Sequence, residues 1–357
     1  IKQVLSMNWS GKHYSQRIWK NTQELSRTLK QELLVSLLIG RTDRETSEVI
    51  MNRCGAGAMQ ARRLVRTESC FLSGELTARS YEECGIEKYR YLATLDLRTS
   101  KICRELDGKI FPLKDRKPGK NYPPMHPWCR STTISVIDEE TLRNMKRSAY
   151  NPKTGRTETV PANMTYDQWY KKYVKGNAKA EAEEKSIQNA ASDKKQYERY
   201  REILGKDAPK RFADFQEMKY NDPEKWRFTK LDYQRRNELL QHPELKLPNA
   251  ENAMAADAKF EKYLFGGSHP EGLAKGNAFS SRLGYDAENW NSLKKQIIAR
   301  APQYPALSKG VNGYGKHMYE QKIVLYGLKG TPANVVVGWS ADDKSVTMAS
   351  AYIKEVK

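Results

Sequence analysis

The sequence predicts a multidomain protein: a mainly α-helical N-terminal domain with a small β element, an extended helical arm, and a C-terminal α+β domain. Three observations support this fold class. At 357 residues the chain exceeds the size at which a single core usually stops growing. Apolar residues recur at helical spacing early in the chain, and strand-like runs separated by turns appear late. We expect domains at residues 1–140 and 255–357, joined by an arm at residues 141–254.

The N-terminal elements follow from periodicity. An amphipathic stripe over residues 14–39 predicts a first helix, and further helices are predicted over residues 42–53 and 57–84. Residues 88–94 alternate, with Tyr89 and Tyr91 on one side, which predicts a strand. Glycines and prolines predict a loop over residues 107–127. A second strand is predicted over residues 132–137.

Residues 151–250 are polar and helical in pattern, and Ala, Glu, Lys and Gln dominate residues 178–201. A segment of this composition buries little apolar surface on its own. We expect an extended helical arm that leans on other subunits. A flexible linker is the alternative.

The C-terminal pattern predicts helices over residues 257–265, 274–283 and 287–300. Strands are predicted over residues 318–326, 333–340 and 346–354, with turn residues between them. Short turns between successive strands favour antiparallel pairing, so we expect an antiparallel sheet packed on the helices.

Composition limits the classes of partner. The chain carries 62 Lys and Arg against 43 Asp and Glu, a formal charge of +19 that favours DNA, RNA or an acidic protein surface. No apolar run approaches the roughly 20 residues of a membrane span, so no membrane partner is expected. The odd number of cysteines argues against a disulfide scaffold. All of them precede residue 130: Cys54, Cys70, Cys84, Cys103 and Cys129.

One run of unusual residue pairings stands between residues 90 and 133, with Arg66-Thr67-Glu68 upstream. Its members are Asp96, Arg98, Cys103, Asp107, Gly108, Pro123, Pro124, His126, Pro127, Cys129 and Arg130. The run resembles the minor head protein domain of the phage Mu F type, over roughly residues 1–140. The resemblance implies a protein that sits with the portal and procapsid, in few copies inside the head. Some such proteins are thought to leave with the DNA.

The same residues carry a metal hypothesis. Cys103 with His126 and Cys129 supplies two thiolates and an imidazole, which suit tetrahedral Zn²⁺. The resemblance implies a further cysteine at the position of Ser100 in many relatives, so the fourth ligand is open, with Asp96, Asp107 and Cys84 as weak candidates. The alternative is that polar side chains tie the loop by hydrogen bonds and the cysteines are small buried hydrophobes. Those side chains would be Asp96, Arg98, Asp107 and His126.

Four C-terminal segments resemble a domain that is fused to phage head proteins and to bacterial polymorphic toxins. It is similar to the barnase, EndoU, colicin and RelE group of small nucleases, over about residues 255–357. The segments are His269 to Tyr285, Tyr314 to Glu320, Val335 to Trp339 and Thr347 to Tyr352. The resemblance implies a metal-independent endoribonuclease, which needs no cofactor.

Metal-independent cleavage of RNA needs a base and an acid. It also needs a cation or amide donors that stabilise the charged phosphorane. Imidazole titrates near neutral pH, so His269 suits the acid or base, and Lys275 suits the phosphate. The catalytic candidates are His269, Lys275, His317, Tyr319, Ser350 and Tyr352, and the nucleic-acid-binding candidates are Lys275, Arg282, Lys316 and Trp339. Each residue also has a structural interpretation. His269 could cap a turn, Lys275 could be a solvated surface lysine, and Trp339 and Tyr352 could belong to the core. For Trp339 the core is the better interpretation.

The leading hypothesis is a virion-internal head protein that carries a toxin-like endoribonuclease and is delivered to the host cytoplasm with the DNA. Expected partners are portal and capsid proteins, phage DNA or host RNA, and an immunity protein. One alternative is a purely structural head protein whose C-terminal domain binds nucleic acid or capsid without catalysis. Another is a bacterial effector released by a phage-like particle.

Overall fold

The structure is a computed structural model that describes residues 23–54 and 58–356. It divides into two compact units, of which one ends at Ile187 and the other begins at Gln188. The first unit combines helices with small sheets, and the second combines helices with a five-stranded sheet. The predicted class, a multidomain chain with a mainly helical N-terminal domain and a C-terminal α+β domain, is confirmed.

Three helices open the described part of the first unit: α1 (Gln23–Ile39), α2 (Asp43–Cys54) and α3 (Ala58–Glu83). Their apolar faces bury Leu29, Leu33, Ile50, Ala61 and Val65 in one cluster. Leu29 and Leu33 of the predicted stripe therefore lie on the packing face of α1, whereas Leu37, also predicted for the stripe, is exposed. The first part of that predicted helix, residues 14–22, lies outside the described residues.

A three-stranded antiparallel sheet follows, in the order β2-β1-β3. Its strands are β1 (Lys88–Leu92), β2 (Ile110–Pro112) and β3 (Thr132–Ser135), and the short helix α4 (Lys101–Leu106) lies between β1 and β2. Tyr89 and Tyr91 are both fully buried, as the alternation predicts. The two predicted strands are present, and the predicted loop between them also contains β2.

Residues 139–187 fold onto the first unit, where an extended arm was expected for most of this stretch. They form α5 (Glu139–Asn144), the hairpin β4 (Lys146–Asn151) and β5 (Arg156–Pro161), α6 (Tyr166–Tyr173) and α7 (Ala178–Gln188). Trp169 is fully buried, and its Nε1 donates to the Tyr150 carbonyl at 2.8 Å. Leu95 and Leu97 complete this core. A few large aromatic side chains supply apolar surface that the overall polarity conceals.

The rest of the predicted arm belongs to the second unit, as α8 (Ala190–Leu204), α9 (Phe212–Asn221) and α10 (Pro223–Gln241). Aromatic rings fill the space between these helices. Tyr200 stacks on Tyr233 with ring centroids 4.1 Å apart, and Phe215 is fully buried beneath them. Predicted domain boundaries at residues 140 and 254 thus fall inside the two units.

The C-terminal sheet has the order β6-β10-β9-β8-β7, antiparallel except for the parallel pair β6 and β10. Its strands are β6 (Ala253–Met254), β7 (Ala306–Val311), β8 (His317–Tyr326), β9 (Pro332–Ala341) and β10 (Val346–Ile353). The helices are a π-helix (Lys259–Leu264), α11 (Pro270–Leu283) and α12 (Trp290–Arg300). The three predicted strands are present, and the first predicted helix is the π-helix.

Strand β7 is the last strand of this sheet on its side, within the described part of the chain. Its pairing with β8 shifts register between Ser308 and Val311. Gly310 lies at this irregularity with φ 83°, in the left-handed region that favours glycine. The edge of the sheet is therefore interrupted rather than straight.

A buried ionic network joins α10 to α12 and the sheet. The Arg236 guanidinium donates to Asp232 at 2.7 Å and to Asp207 at 2.6 Å, and Arg300 donates to Asp207 at 2.9 Å. The hydroxyl of Tyr304 also donates to Asp232. Asp232 is fully buried, so these partners replace the water that its carboxylate loses.

Candidate functional site

The predicted metal ligands meet in the first unit. Cys103 Sγ lies 3.3 Å from His126 Nε2 and 3.9 Å from Cys129 Sγ, and the three donor atoms all lie within 4.8 Å of one another. Four ligands around Zn²⁺ at tetrahedral angles with Zn–S near 2.3 Å place neighbouring sulfurs about 3.8 Å apart. The spacing of the three atoms therefore fits a tetrahedral ion.

Local structure holds each of the three side chains. Cys103 stands in the first turn of α4, whose N-cap Ser100 accepts a hydrogen bond from the Cys103 backbone. His126 and Cys129 come from the loop between β2 and β3. Between them, Trp128 has φ 67°, a left-handed conformation that is uncommon for a large residue. This turn of the backbone brings the imidazole and the thiol to one point.

The imidazole is oriented for a metal. His126 Nδ1 lies 2.7 Å from the Pro127 carbonyl, to which only an N–H can donate. The tautomer with the proton on Nδ1 leaves Nε2, the atom that faces Cys103, with its lone pair free for an ion. In the structure Nε2 lies 2.8 Å from the Ser100 hydroxyl, which donates to it in this tautomer. The donor set and its orientation both fit zinc.

The weak candidates for a fourth ligand are engaged elsewhere. Asp96 pairs with the Arg130 guanidinium, and Asp107 accepts from the backbone of Ala93 and Tyr166. Cys84 is exposed. Asp96 and Asp107 do tie this region by hydrogen bonds, as the alternative to the metal hypothesis supposes, whereas His126 stands with the cysteines. A cysteine that the sequence did not single out, Cys70, packs against the same cluster.

The charge of the cluster is governed by its own hydrogen bonds. Interaction with the thiols of Cys103 and Cys70 holds the pKa of Cys129 well below its ordinary value, whereas interaction with Cys129 and burial raise the pKa of Cys70. Burial raises the pKa of the Tyr91 hydroxyl, which donates to Cys103 Sγ at 3.3 Å. Cys129 is thus the first thiolate of the group.

The second candidate site lies at the start of α11. His269 is the N-cap residue and is exposed, and its ring centroid lies 5.6 Å from that of Tyr263. Lys275 Nζ lies 3.4 Å from the Tyr263 hydroxyl, 3.6 Å from Glu271 and 5.9 Å from the ring centroid of Tyr352. Two of the predicted catalytic residues, His269 and Lys275, therefore contact Tyr263, which the sequence did not indicate, and Lys275 also lies near Tyr352.

Glycines bring Tyr263 to this place. The π-helix runs against α11 at Gly272 and Gly276, where an added Cβ would lie 2.2 Å from the Tyr263 carbonyl oxygen and 1.8 Å from that of Leu264. Such backbone contact is closed to any residue with a Cβ. A sequence pattern does not reveal a π-helix, which explains why Tyr263 was missed.

The other predicted catalytic residues are spread over the sheet. Ser350 and Tyr352 pair with Gly338 and Val336 of β9 and share one face of β10, as predicted. His317 pairs with Ala341, near the opposite end of these strands, about 17 Å from the row of Tyr352 at about 3.3 Å per residue. Tyr319 pairs with Trp339 and packs against the core. The structure does not bring His317 or Tyr319 to the group around Tyr263.

Two of the predicted nucleic-acid-binding residues are not free to serve as expected. Trp339 is fully buried in the core and its Nε1 donates to Gln321 at 3.1 Å, so stacking on a base is a wrong prediction for it. The Arg282 guanidinium pairs with Glu224 and donates to the Pro332 carbonyl at 3.1 Å. Lys316 is exposed, 3.8 Å from Asp342.

Two family models match the chain. Residues 21–134 match the model of the "Phage Mu protein F like protein" family, and residues 246–355 match a model described as a domain of unknown function. The N-terminal region is thus similar to the phage Mu F-like proteins, as the motif predicts. The resemblance of the C-terminal region to nuclease toxins stays a prediction.

Two curated relatives match parts of the chain. A protein of Enterococcus faecalis (strain ATCC 700802 / V583), named NAD(+)--arginine ADP-ribosyltransferase EFV, is 28% identical over 193 residues, 50% of this chain and 38% of that protein. An uncharacterized protein of Haemophilus influenzae (strain ATCC 51907 / DSM 11121 / KW20 / Rd) is 34% identical over 83 residues, 23% of this chain and 19% of that protein. The chain spans well under half of either relative, and no solved structure matches it.

None of the helices in the described part of the chain combines the length and the apolar character that crossing a membrane requires.

Proposed function

We propose that the chain is a head protein of a tailed bacteriophage that stands inside the virion beside the portal. The observation that carries this proposal is the match of residues 21–134 to the phage Mu F-like family. The cysteine and histidine cluster lies within the matched region. The formal charge of +19 suits a protein that stands close to packaged DNA.

Virion fractionation tests this proposal. Particles of a phage that encodes the chain are purified, treated with an external protease and then opened, and peptides of the chain are quantified against the portal protein. We expect the chain in few copies, protected until the particles are opened. Its absence from purified particles, or its digestion in intact ones, contradicts the proposal.

Within the first unit, the proposed role of Cys103, His126 and Cys129 is to hold a structural zinc ion. The ion would fasten α4, a helix of only six residues, to the loop between β2 and β3. Zinc content by mass spectrometry of the purified full chain tests this proposal, and we expect about one ion per chain.

For the second unit, the proposed activity is cleavage of RNA without a metal, at the group formed by His269, Lys275 and Tyr352. The observation that favours it is the position of Lys275 near Tyr263 and Tyr352 in α11, and the N-terminus of a helix also favours a bound anion. The transferase named in the Enterococcus relative is not proposed here, because the similarity covers 38% of that protein.

The chemistry requires a balanced proton transfer. A ribose 2′-hydroxyl attacks its own 3′-phosphorus and loses its proton to a base. The 5′-oxygen of the next nucleotide leaves and takes up a proton, which yields a 2′,3′-cyclic phosphate and a free 5′-hydroxyl. His269 serves as the base or the acid, and Lys275 stabilises the negative charge on the oxygens of the phosphorane.

RNA cleavage by the full chain in EDTA tests the activity. Lys275→Ala and His269→Ala should each lower the rate on the order of a hundredfold. The matched control is Lys329→Ala, which removes an exposed lysine from the turn between β8 and β9. Binding without cleavage by the unaltered chain supports the rival function, a structural protein whose C-terminal unit holds nucleic acid. Equal rates for all three variants place any activity elsewhere.

A further inference from the structure

Cys70 approaches the proposed zinc ligands from a helix that the motif does not include. It stands on α3, is partly buried, and packs against the cluster that contains Cys103, Met125 and Cys129. Its thiol donates to the Ser131 carbonyl oxygen at 3.8 Å. Cys129 therefore has two neighbouring thiols, Cys103 with its Sγ at 3.9 Å and Cys70 in the same cluster.

The surroundings of Cys70 suit a metal-bound thiolate. Three thiolates and one imidazole around a divalent ion leave a net charge of −1, which an adjacent cation stabilises. Arg66 and Arg130 line one cavity together with Cys70 and Cys129, and this cavity also gives an ion a path to the cluster.

The other nearby oxygen donor is less suitable. Ser100 Oγ lies 2.8 Å from His126 Nε2 and accepts from the Cys103 backbone, and a neutral hydroxyl is not among the usual protein ligands of zinc. The donors of Cys103, His126 and Cys129 form the group within 4.8 Å, and Cys70 stands outside that group, against Cys129. An ion held by the group would draw Cys70 Sγ inward.

We propose that Cys70 is the fourth zinc ligand, so that the ion fastens α3 to α4 and to the loop between β2 and β3. This inference rests on the proposed zinc site formed by the other three residues. It assigns to Cys70 a role that ties the helical bundle to the small sheet.

Cobalt substitution in the full chain tests the proposal. Thiolate-to-cobalt charge transfer absorbs in the near ultraviolet, and its intensity grows with the number of thiolate ligands. In Cys70→Ser the intensity per bound cobalt should fall by about a third, from three thiolates to two. The matched control Cys84→Ser removes an exposed cysteine and should change nothing, and Ser100→Ala should also leave the intensity unchanged.

A second measurement needs no variant. Bound zinc should protect Cys70 from alkylation by N-ethylmaleimide, and chelation should release it, while Cys84 reacts in both states. Unchanged cobalt absorbance in Cys70→Ser, or equal alkylation of Cys70 with and without zinc, overturns the role of Cys70 while zinc content in the unaltered chain still stands. A chain that binds no zinc overturns both proposals.

Discussion

At the scale of single residues, the second unit is sensitive to the loss of any partner from its buried ionic network. Arg236 is shared by Asp207 and Asp232, and each of these carboxylates has a further partner, Arg300 for Asp207 and Tyr304 for Asp232. A buried pair with complete partners gives little net stability, but loss of one partner leaves a charge without water or counter-ion. Loss of Arg236 should therefore lower the free energy of unfolding strongly, because both carboxylates would lose a partner.

Replacement of Arg236 should be strongly destabilising. Arg236→Leu keeps the apolar stem and leaves the fully buried Asp232 without its cation, so the free energy of unfolding should fall by about 3–5 kcal/mol. Denaturant unfolding measures the change. Arg227→Leu, at an exposed position of the same helix, should shift it by less than about 1 kcal/mol. Equal effects of the two substitutions contradict the role of the network.

The network also predicts a response to acid. Burial alone raises the pKa of Asp207, but the charge of Arg300 and the hydrogen bonds from Arg236 and Arg300 outweigh it, so the pKa of Asp207 is lowered. Stability from Asp207 is therefore complete above the unfolded value of about 3.9, and it is lost as the pH falls through the folded value.

Asp207→Asn should consequently destabilise the protein at pH 7, and the difference from the unaltered chain should shrink below about pH 4. Unfolding free energies at several pH values measure this. Asp257→Asn breaks an ion pair with Lys294 whose Asp257 side chain is 59% exposed, and its small effect should change little with pH. A difference at Asp207 that persists unchanged at pH 3 contradicts the interpretation.

Residue-scale prediction from sequence succeeded where spacing in the chain carries the information. Cys103, His126 and Cys129 were grouped by ligand type within one motif, and the structure brings their donor atoms together, while their role as metal ligands stays a prediction. Cys70 and Tyr263 reach their clusters through packing of α3 and of the π-helix, which no local pattern records. The sequence places Trp339 in a strand but does not show which face of the sheet is buried. Its burial in the core therefore could not be predicted with certainty.

At the scale of elements, the contact between the π-helix and α11 depends on glycine. A glycine in the middle of a helix ordinarily costs about 1 kcal/mol relative to alanine, so alanine at Gly276 would stabilise a free helix. In this protein the Cβ would lie 1.8 Å from the Leu264 carbonyl oxygen. The tertiary contact thus reverses the sign of the helix propensity.

We expect Gly276→Ala to destabilise the second unit by about 1–3 kcal/mol, as overpacking does. The displaced π-helix should also carry Tyr263 away from Lys275. Thermal unfolding measures the first effect. Gly313→Ala is the matched control, since a Cβ at Gly313 meets nothing within 4 Å, and its effect should stay within about 0.5 kcal/mol. A neutral Gly276→Ala is incompatible with the close approach.

Element prediction was reliable for the strands with clear alternation, missed β2, β4, β5, β6 and β7, and was weak for the arm. Apolar alternation and turn residues fix β8, β9 and β10, because burial on a pleated sheet repeats every two residues. The polar segment between the domains hid its cores, since Trp169, Tyr200 and Phe215 each bury a large area among many charged neighbours. Average polarity therefore underestimates what a few aromatic rings can fold.

At the scale of the whole molecule, the boundary between the units decides which fragments fold. The second unit begins at Gln188, and α10 supplies Asp232 and Arg236 to the network beneath the sheet. A fragment of residues 255–357 keeps β7 to β10 but loses β6, both network residues and Asp207. The family match that begins at residue 246 omits them as well.

A fragment of residues 188–357 should therefore unfold cooperatively on heating, whereas residues 255–357 should lack a cooperative transition. Circular dichroism in the near ultraviolet, recorded during heating, distinguishes the two. Residues 255–357 with the same midpoint as the longer fragment would show that α8, α9 and α10 are dispensable.

The interrupted edge at β7 has a consequence for how the protein behaves at high concentration. A sheet edge with free amides recruits a second chain, and repeated recruitment gives fibres. Here Leu307 and Val311 are exposed on that edge, but Gly310 breaks the register and Lys309 stands between them, 3.7 Å from Glu320. Charge and irregularity together act as a gatekeeper against strand-to-strand polymerisation. Copies of the chain should therefore stay separate at concentrations at which a straight, uncharged sheet edge would associate.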